Sequence, residues 1–243
     1  MSKLIFLFNG KERIIDLTDE QQQCFKRNID QGDIRIEDTY FAPEKRVPDK
    51  QRYLLAYQAK VWGLLPPQGG DPTDFTTGHD NEPVGNCGGI VVLLESPHHD
   101  EYDDQFNPIG PAQGKTGKYF HRYFTSHVLP ILLQQGLKLD LEKQYPVTLV
   151  NPVPYQASLA CLLTRSEQSI KKKVWNELWK SGCNADFNKR LKSYAPTIVL
   201  NGCTTDFKQV VWASVTETSP HAQHFNISHP AGWQSCFEPF RSQ

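Results

Sequence analysis

Between Gly88 and Tyr102 the chain reads Gly-Gly-Ile-Val-Val-Leu-Leu-Glu-Ser-Pro-His-His-Asp-Glu-Tyr, and no other stretch restricts the possible folds as much. The apolar, β-branched run Ile90 to Leu94, entered through two glycines and cut off by Glu95, predicts a strand with both faces covered. Such strands belong to α/β architectures, whose ligands sit in the crevice beyond the carboxyl ends of the strands. A strand that hands over to Glu, Ser, His, His, Asp and Glu at that end delivers candidate chemistry.

The rest of the chain supplies partners for this strand. Apolar runs at Val147 to Val150, Thr197 to Leu200 and Phe225 to Ser228 predict three more strands, ending in Asn151-Pro152, Asn201-Gly202 and His229-Pro230. Helical spacing follows Gly117, with Pro130 expected to bend that helix, and recurs over about 169–181 and 185–193 and after a cap at Thr204 or Thr205. Strands alternating with helices imply an α/β fold, a three-layer α/β/α arrangement around a mainly parallel central sheet. Glu95, Asn151, Asn201 and His229 would then gather along one sheet edge. Upstream, Asn9-Gly10 supplies a tight turn for a hairpin of Lys3 to Phe8 with Ile14 to Leu17, and Thr18 is positioned to cap a helix to about Asn28. Little periodicity follows from Gly32 to Asn86 except near Tyr53 to Leu64, and Pro66 to Pro83 reads as a surface loop. The organisation expected is an N-terminal extension, 1–86, packed on an α/β domain, 87–243.

Composition excludes several classes. A formal net charge of −1 and a pI near 6.7 leave only a local basic face for nucleic acid. The six cysteines form no Cys-x-x-Cys pair, which points to reduced thiols, no iron-sulfur centre and no disulfide framework. No signal peptide and no apolar stretch of about 18 residues occurs, so the expected location is cytoplasmic, without membrane contact. Phosphate-loop, dinucleotide and nucleophile-elbow motifs are absent. His98 and His99 beside Asp100 and Glu101 have metal-ligand chemistry, but neighbouring residues at a strand end point in different directions, and no metal or other cofactor is expected.

The order and spacing of motifs across about Ile90 to Trp233 resemble the uracil-DNA glycosylase superfamily, most nearly its family 4 type. The strand into Glu95-Ser96-Pro97 is similar to the motif that positions the attacking water. Phe106 and the loop Asn107-Pro108-Ile109-Gly110 to Gly117 resemble the segment that holds an aromatic ring over the flipped base. Leu149-Val150-Asn151 is similar to the strand whose Asn reads the base edge, and Ser228-His229-Pro230 to the motif whose His donates to the leaving base. The departures are specific. Leu94 replaces a glycine, Ser96 stands where the classical uracil enzymes keep a catalytic Asp, and His98 where they keep a Tyr that excludes thymine. The family 4 iron-sulfur cysteines are missing, and the Pro-Ser pair has become Pro230-Ala231-Gly232, followed by Trp233.

What the resemblance implies is a DNA glycosylase. Breaking a base-sugar bond creates an oxocarbenium-like sugar and an anionic base, which calls for a carboxylate or positioned water on one side and hydrogen-bond donors on the other. Glu95 or Asp100 with His229 would be catalytic, and Asn151, Ser96, His98, Ile109 and Phe106 would hold the base. Trp233 would either wedge into the stack or pack as a core tryptophan, and Lys115, Lys171, Lys172 and Lys173 would meet phosphates, with Arg165 nearby. No lysine occurs in the strand-end motifs, which argues for a monofunctional enzyme that leaves an abasic site. The altered pocket implies a uracil-like or C5-modified pyrimidine as target, for instance in phage DNA, and a monomer as the acting form. The alternatives are a catalytically inactive nucleic-acid-binding module of this fold and a metal-dependent phosphoesterase built on His98, His99 and Asp100.

Overall fold

The computed structural model describes residues 2–26, 32–65 and 88–237, so the expected loop Pro66 to Pro83 lies outside the described residues. Its centre is a six-stranded mixed sheet. Strand β6, Ile90–Leu93, lies between β7, Tyr145–Val150, and β8, Ile198–Asn201, and pairs parallel with both. Every residue of β6 is buried, as its unbroken apolar run requires. Val91 and Leu93 enter one apolar core and Ile90 and Val92 the other, the two-residue alternation of a strand covered on both sides. Strand β9, Gln223–Asn226, extends the sheet parallel to β8. It begins two residues earlier than the apolar run suggests, because it is an edge strand and the Gln223 side chain bonds the backbone of Lys138.

The described residues up to Leu65 form more strands than their pattern suggests. The hairpin β1, Ser2–Phe8, and β2, Lys11–Leu17, forms around Asn9 and Gly10, both with positive φ (52° and 69°), and β3, Ile34–Arg35, pairs parallel with β1. Two further strands, β4, Lys50–Gln58, and β5, Val61–Leu65, complete the central sheet in the order β5-β4-β7-β6-β8-β9, so this sheet crosses the boundary expected at residue 86. Both join it antiparallel. The helix expected from Thr18 to Asn28 is cut to one turn, α1, Asp19–Gln22, with a Thr18–Gln21 capping box. The chain leaves it to pair with the 161–164 segment: Lys26 N donates to Leu162 O and Thr164 N to Cys24 O, at 2.9 and 2.8 Å, while Phe25 enters the core.

Helices cover both sheet faces. On one lie α2, Gly114–Tyr123, and α3, Leu129–Gln134, joined by a π turn over Phe124–Val128. Pro130 lies in the first turn of α3, where its missing N–H and ring are accommodated by the wider turn before it. The other face carries α4, Gln168–Leu178, α5, Asn184–Tyr194, and α6, Thr205–Thr218, together with the apolar side of the β1–β2 hairpin. After β6 the chain passes to α2 on one face, and after β8 to α6 on the other. The carboxyl ends of these adjacent strands thus form a topological switch point, where open α/β sheets place ligands. The last element, α7, Trp233–Phe237, starts with Trp233 fully buried against Phe120, its Nε1 donating to Ser228 O at 2.9 Å. Of the two readings open for Trp233, wedge or core residue, the fold takes the second, because the turn after His229 folds it back beneath α2. Among the described residues no helix is long and apolar enough to cross a membrane.

Gly89, which opens β6, has no room for a side chain: a Cβ there would collide with the carbonyl oxygen of Pro146 in β7. Gly89→Ala is expected to destabilise the fold by about 1–3 kcal/mol. Urea unfolding of the variant at wild-type stability would contradict the close β6–β7 approach.

Candidate active site

Past β6 the backbone makes a turn that L-residues rarely adopt: Glu95 has φ 147°. Such positions cost about 1–3 kcal/mol and persist where the surroundings over-determine them. Here Glu95 O accepts from Val153 N at 3.1 Å and from Trp175 Nε1 at 3.4 Å. The side chain is buried, and each carboxylate oxygen is held. Lys171 of α4 forms an ion pair with one, and the other accepts from the Thr204 hydroxyl and, at 3.2 Å, from the Thr204 backbone N–H. Thr204 is the N-cap of α6, so the positive end of that helix also faces the carboxylate.

His229 enters from the far side of the switch point. Its Nδ1 accepts from Ala231 N at 3.2 Å, which leaves the ring proton on Nε2. Burial pushes its pKa down to about 4, Lys171 and Lys208 push the same way, and Glu95 opposes them. At neutral pH the ring is an uncharged N–H donor. Glu101 completes the site from below. The 3-10 turn His99–Glu101 sends this carboxyl inward, where it accepts from Ala112 N at 3.0 Å and Asn151 Nδ2 at 2.9 Å. Burial raises its pKa to about 7, against the lowering effect of those hydrogen bonds.

Glu95, Ser96, His98, Glu101, Lys171, Thr204 and His229 all line one cavity of about 150 Å3 at the switch point. The Ser96 hydroxyl oxygen is buried there without a hydrogen-bond partner. A larger cavity, about 540 Å3, shares His98, Ser158 and Lys171 with it and adds Lys26, His99 and Arg165. Of the residues expected from sequence, Glu95, Ser96, His98, Lys171 and His229 therefore meet on one wall.

Others do not. Asn151 is buried behind Glu101, to which its amide donates, and does not line the small cavity. Asp100 turns outward on the 3-10 turn, half exposed beside His98 and His99, and does not line the small cavity. Phe106 is stacked on Tyr102 (4.4 Å between centroids) and packs at a tilt against Tyr40 (4.8 Å), an aromatic cluster that keeps it from covering a base in the small cavity. Ile109 is 40% exposed and Lys115 is on the surface at the start of α2. The lysine triplet diverges, as successive residues on a helix must. Lys172 pairs with Asp206 at 2.9 Å, and Lys173 donates to Asp16 O at 2.7 Å, whereas Lys171 points into the site. The strand-end motifs themselves hold no lysine, but Lys171, expected to meet phosphates, reaches Glu95 from α4. Asn201 is structural, donating to Lys208 O and accepting from Cys203 N. Glu101, Thr204 as a partner of Glu95, and the inward turn of Lys171 are not evident from the sequence; only Glu101, last in the His-His-Asp-Glu run, carries a local signal.

Comparison of the chain with known protein families, with curated proteins and with solved structures finds no match.

Glu101 makes stability depend on pH. The folded chain holds this proton to about pH 7 and the unfolded chain only to about pH 4.5, so the cost of ionising a buried carboxyl is absent at low pH and grows as pH rises between those values. Glu101→Gln removes it, with the Asn151 amide turning its oxygen to the new N–H donor. The gain of the variant over wild type is expected to increase from pH 5 to pH 8 by up to about 3 kcal/mol. Denaturation at the two pH values measures it, and a pH-independent difference would reject the buried, shifted carboxyl.

Proposed function

We propose that the chain is a monofunctional DNA glycosylase on a uracil-DNA-glycosylase-like α/β/α scaffold, hydrolysing the N-glycosidic bond of a flipped, C5-modified or uracil-like pyrimidine and leaving an abasic site. The observation that carries this reading is the meeting of an ion-paired carboxylate, Glu95, and an uncharged imidazole N–H donor, His229, on the walls of one small cavity. Departure of a base leaves positive charge on the sugar and negative charge on the ring. Glu95 orients the attacking water and faces the cationic sugar, and His229 Nε2–H donates to the base oxygen on which negative charge develops. Donation from a neutral ring needs no proton transfer, so the base departs as a stabilised anion, and the proton that the water loses on bonding to the sugar goes to Glu95 and then to solvent or the released base. Ser96 Oγ and the Glu101 carboxyl supply hydrogen bonds to the base edge, and Asn151 acts through Glu101 by fixing its orientation.

Lys171 supports hydrolysis over imine formation, because an ammonium engaged by a carboxylate has no lone pair for attack on the sugar. The adjoining larger cavity supports a bulky C5 substituent. A pyrimidine ring in the small cavity can direct its adduct past His98 into the larger one, where Lys26 and Arg165 also offer positive charge to phosphates. Removal of modified bases from invading phage DNA is a role suited to that preference.

His229→Ala is expected to lower base excision by about 10²-fold or more with the fold intact, the usual effect of deleting one preorganised donor. Duplexes carrying a panel of normal and modified bases, scored for alkali-labile sites, provide the assay, and a folded variant at the wild-type rate would refute the role. Within the same panel at least one C5-modified pyrimidine is expected to be excised faster than uracil, since a polar pocket leaves groups unpaired around an unmodified base. Single-turnover rates that favour plain uracil throughout would reject this specificity.

A further inference from the structure

The turn that carries Glu101 inward also leaves three donor groups on the outside of the same wall. His98 Nδ1 lies 3.3 Å from one Asp100 oxygen and His99 Nε2 lies 2.9 Å from the other, with the two imidazole centroids 3.9 Å apart. All three residues offer a ligand atom within 4.8 Å of one another. Zinc-ligand bonds of about 2.0–2.2 Å in tetrahedral array separate neighbouring donors by roughly 3.3–3.5 Å, so small side-chain rotations close this group around an ion. The carboxylate is also held in place. Asp100 packs against the backbone of Gly114 at the start of α2, where a Cβ would collide with Oδ2, so glycine at 114 is what admits it.

We propose that His98, His99 and Asp100 bind one divalent transition ion of the Zn2+ class at the rim of the cavity. Two imidazoles and one carboxylate suit zinc, cobalt or nickel better than magnesium or calcium, which take oxygen ligands. Three protein ligands leave a coordination position open to water or a phosphate oxygen. His98 lines both cavities, so drawing its ring toward His99 and Asp100 alters the passage between them, and the ion acts as a brake on entry of the base. The site itself does not depend on the glycosylase reading; the brake does.

Equilibrium dialysis of the full chain against ZnCl2 is expected to show one retained ion, with affinity reduced at least tenfold in His99→Ala and in Asp100→Asn. Both changes replace exposed or half-exposed side chains, and thermal melts check that the variants fold. Cobalt is expected to give a spectrum without a thiolate charge-transfer band, which separates this site from the exposed Cys161 and Cys236. No retained zinc, undiminished affinity in both folded variants, or a thiolate band would overturn the site. Added zinc is expected to slow excision several-fold in wild type and less in Asp100→Asn, relative to each protein's own zinc-free rate. Zinc that binds without slowing excision would overturn the brake, whereas no excision of any base would count against the proposed function and leave dialysis to decide the site.

Discussion

The buried carboxylate of Glu95 ties the architecture together. It projects from the end of β6, and its two partners come from separate elements, Lys171 from α4 and Thr204 from the cap of α6. A lone carboxylate at this depth would lose its hydration with nothing in exchange, so the meeting of the three segments is what supplies its partners. Removing Lys171 leaves an uncompensated buried charge, which is more destabilising than the intact pair is stabilising, and removing the Thr204 hydroxyl takes away a hydrogen bond to the same carboxylate. The interaction thus fixes geometry at the switch point more than it adds stability.

That geometry follows from the sheet. Because β6 is flanked on both sides by parallel strands and its following helix lies on the face opposite α6, the ends of β6 and β8 diverge. The short 3-10 turn His99–Glu101 then divides one polar run by direction. Glu101 enters the floor beside Asn151, while His99 and Asp100 face outward. Four consecutive polar residues, His98 to Glu101, thereby serve two surfaces of one wall.

Patterns of apolar residues made the parallel core legible: β6, β7 and β8 lie where unbroken apolar runs predict them, and Glu95 and His229 meet as their strand-end positions imply. Strand β4 was obscured because Gln51 and Arg52 are buried polar residues beside a β-bulge, which breaks the two-residue period. Its turn was equally hidden, since Ala59 and Lys60 take positive φ (49° and 67°) without the Asn or Gly that usually marks such a hairpin. The Thr18 cap signal predicts a longer α1 than forms, because the helix's continuation loses to pairing with 161–164. Lys171 had no local signal at all: three consecutive lysines look alike in sequence, and only the rotation of α4 against the sheet decides which one reaches Glu95.

The same lysine also governs the state of His229. Glu95 alone would favour a protonated imidazolium, because a nearby negative charge stabilises the cation. Burial works against that, and Lys171, by pairing with the carboxylate and adding its own positive charge, works in the same direction as burial. The imidazole therefore stays neutral although a carboxylate lines the same cavity. A neutral ring whose Nδ1 is occupied by Ala231 N has one donor and one orientation in which to use it. The Lys171–Glu95 pair thus does two things at once, giving a buried carboxylate its partner and helping to keep the neighbouring imidazole uncharged, and both follow from the packing of α4 against the end of β6.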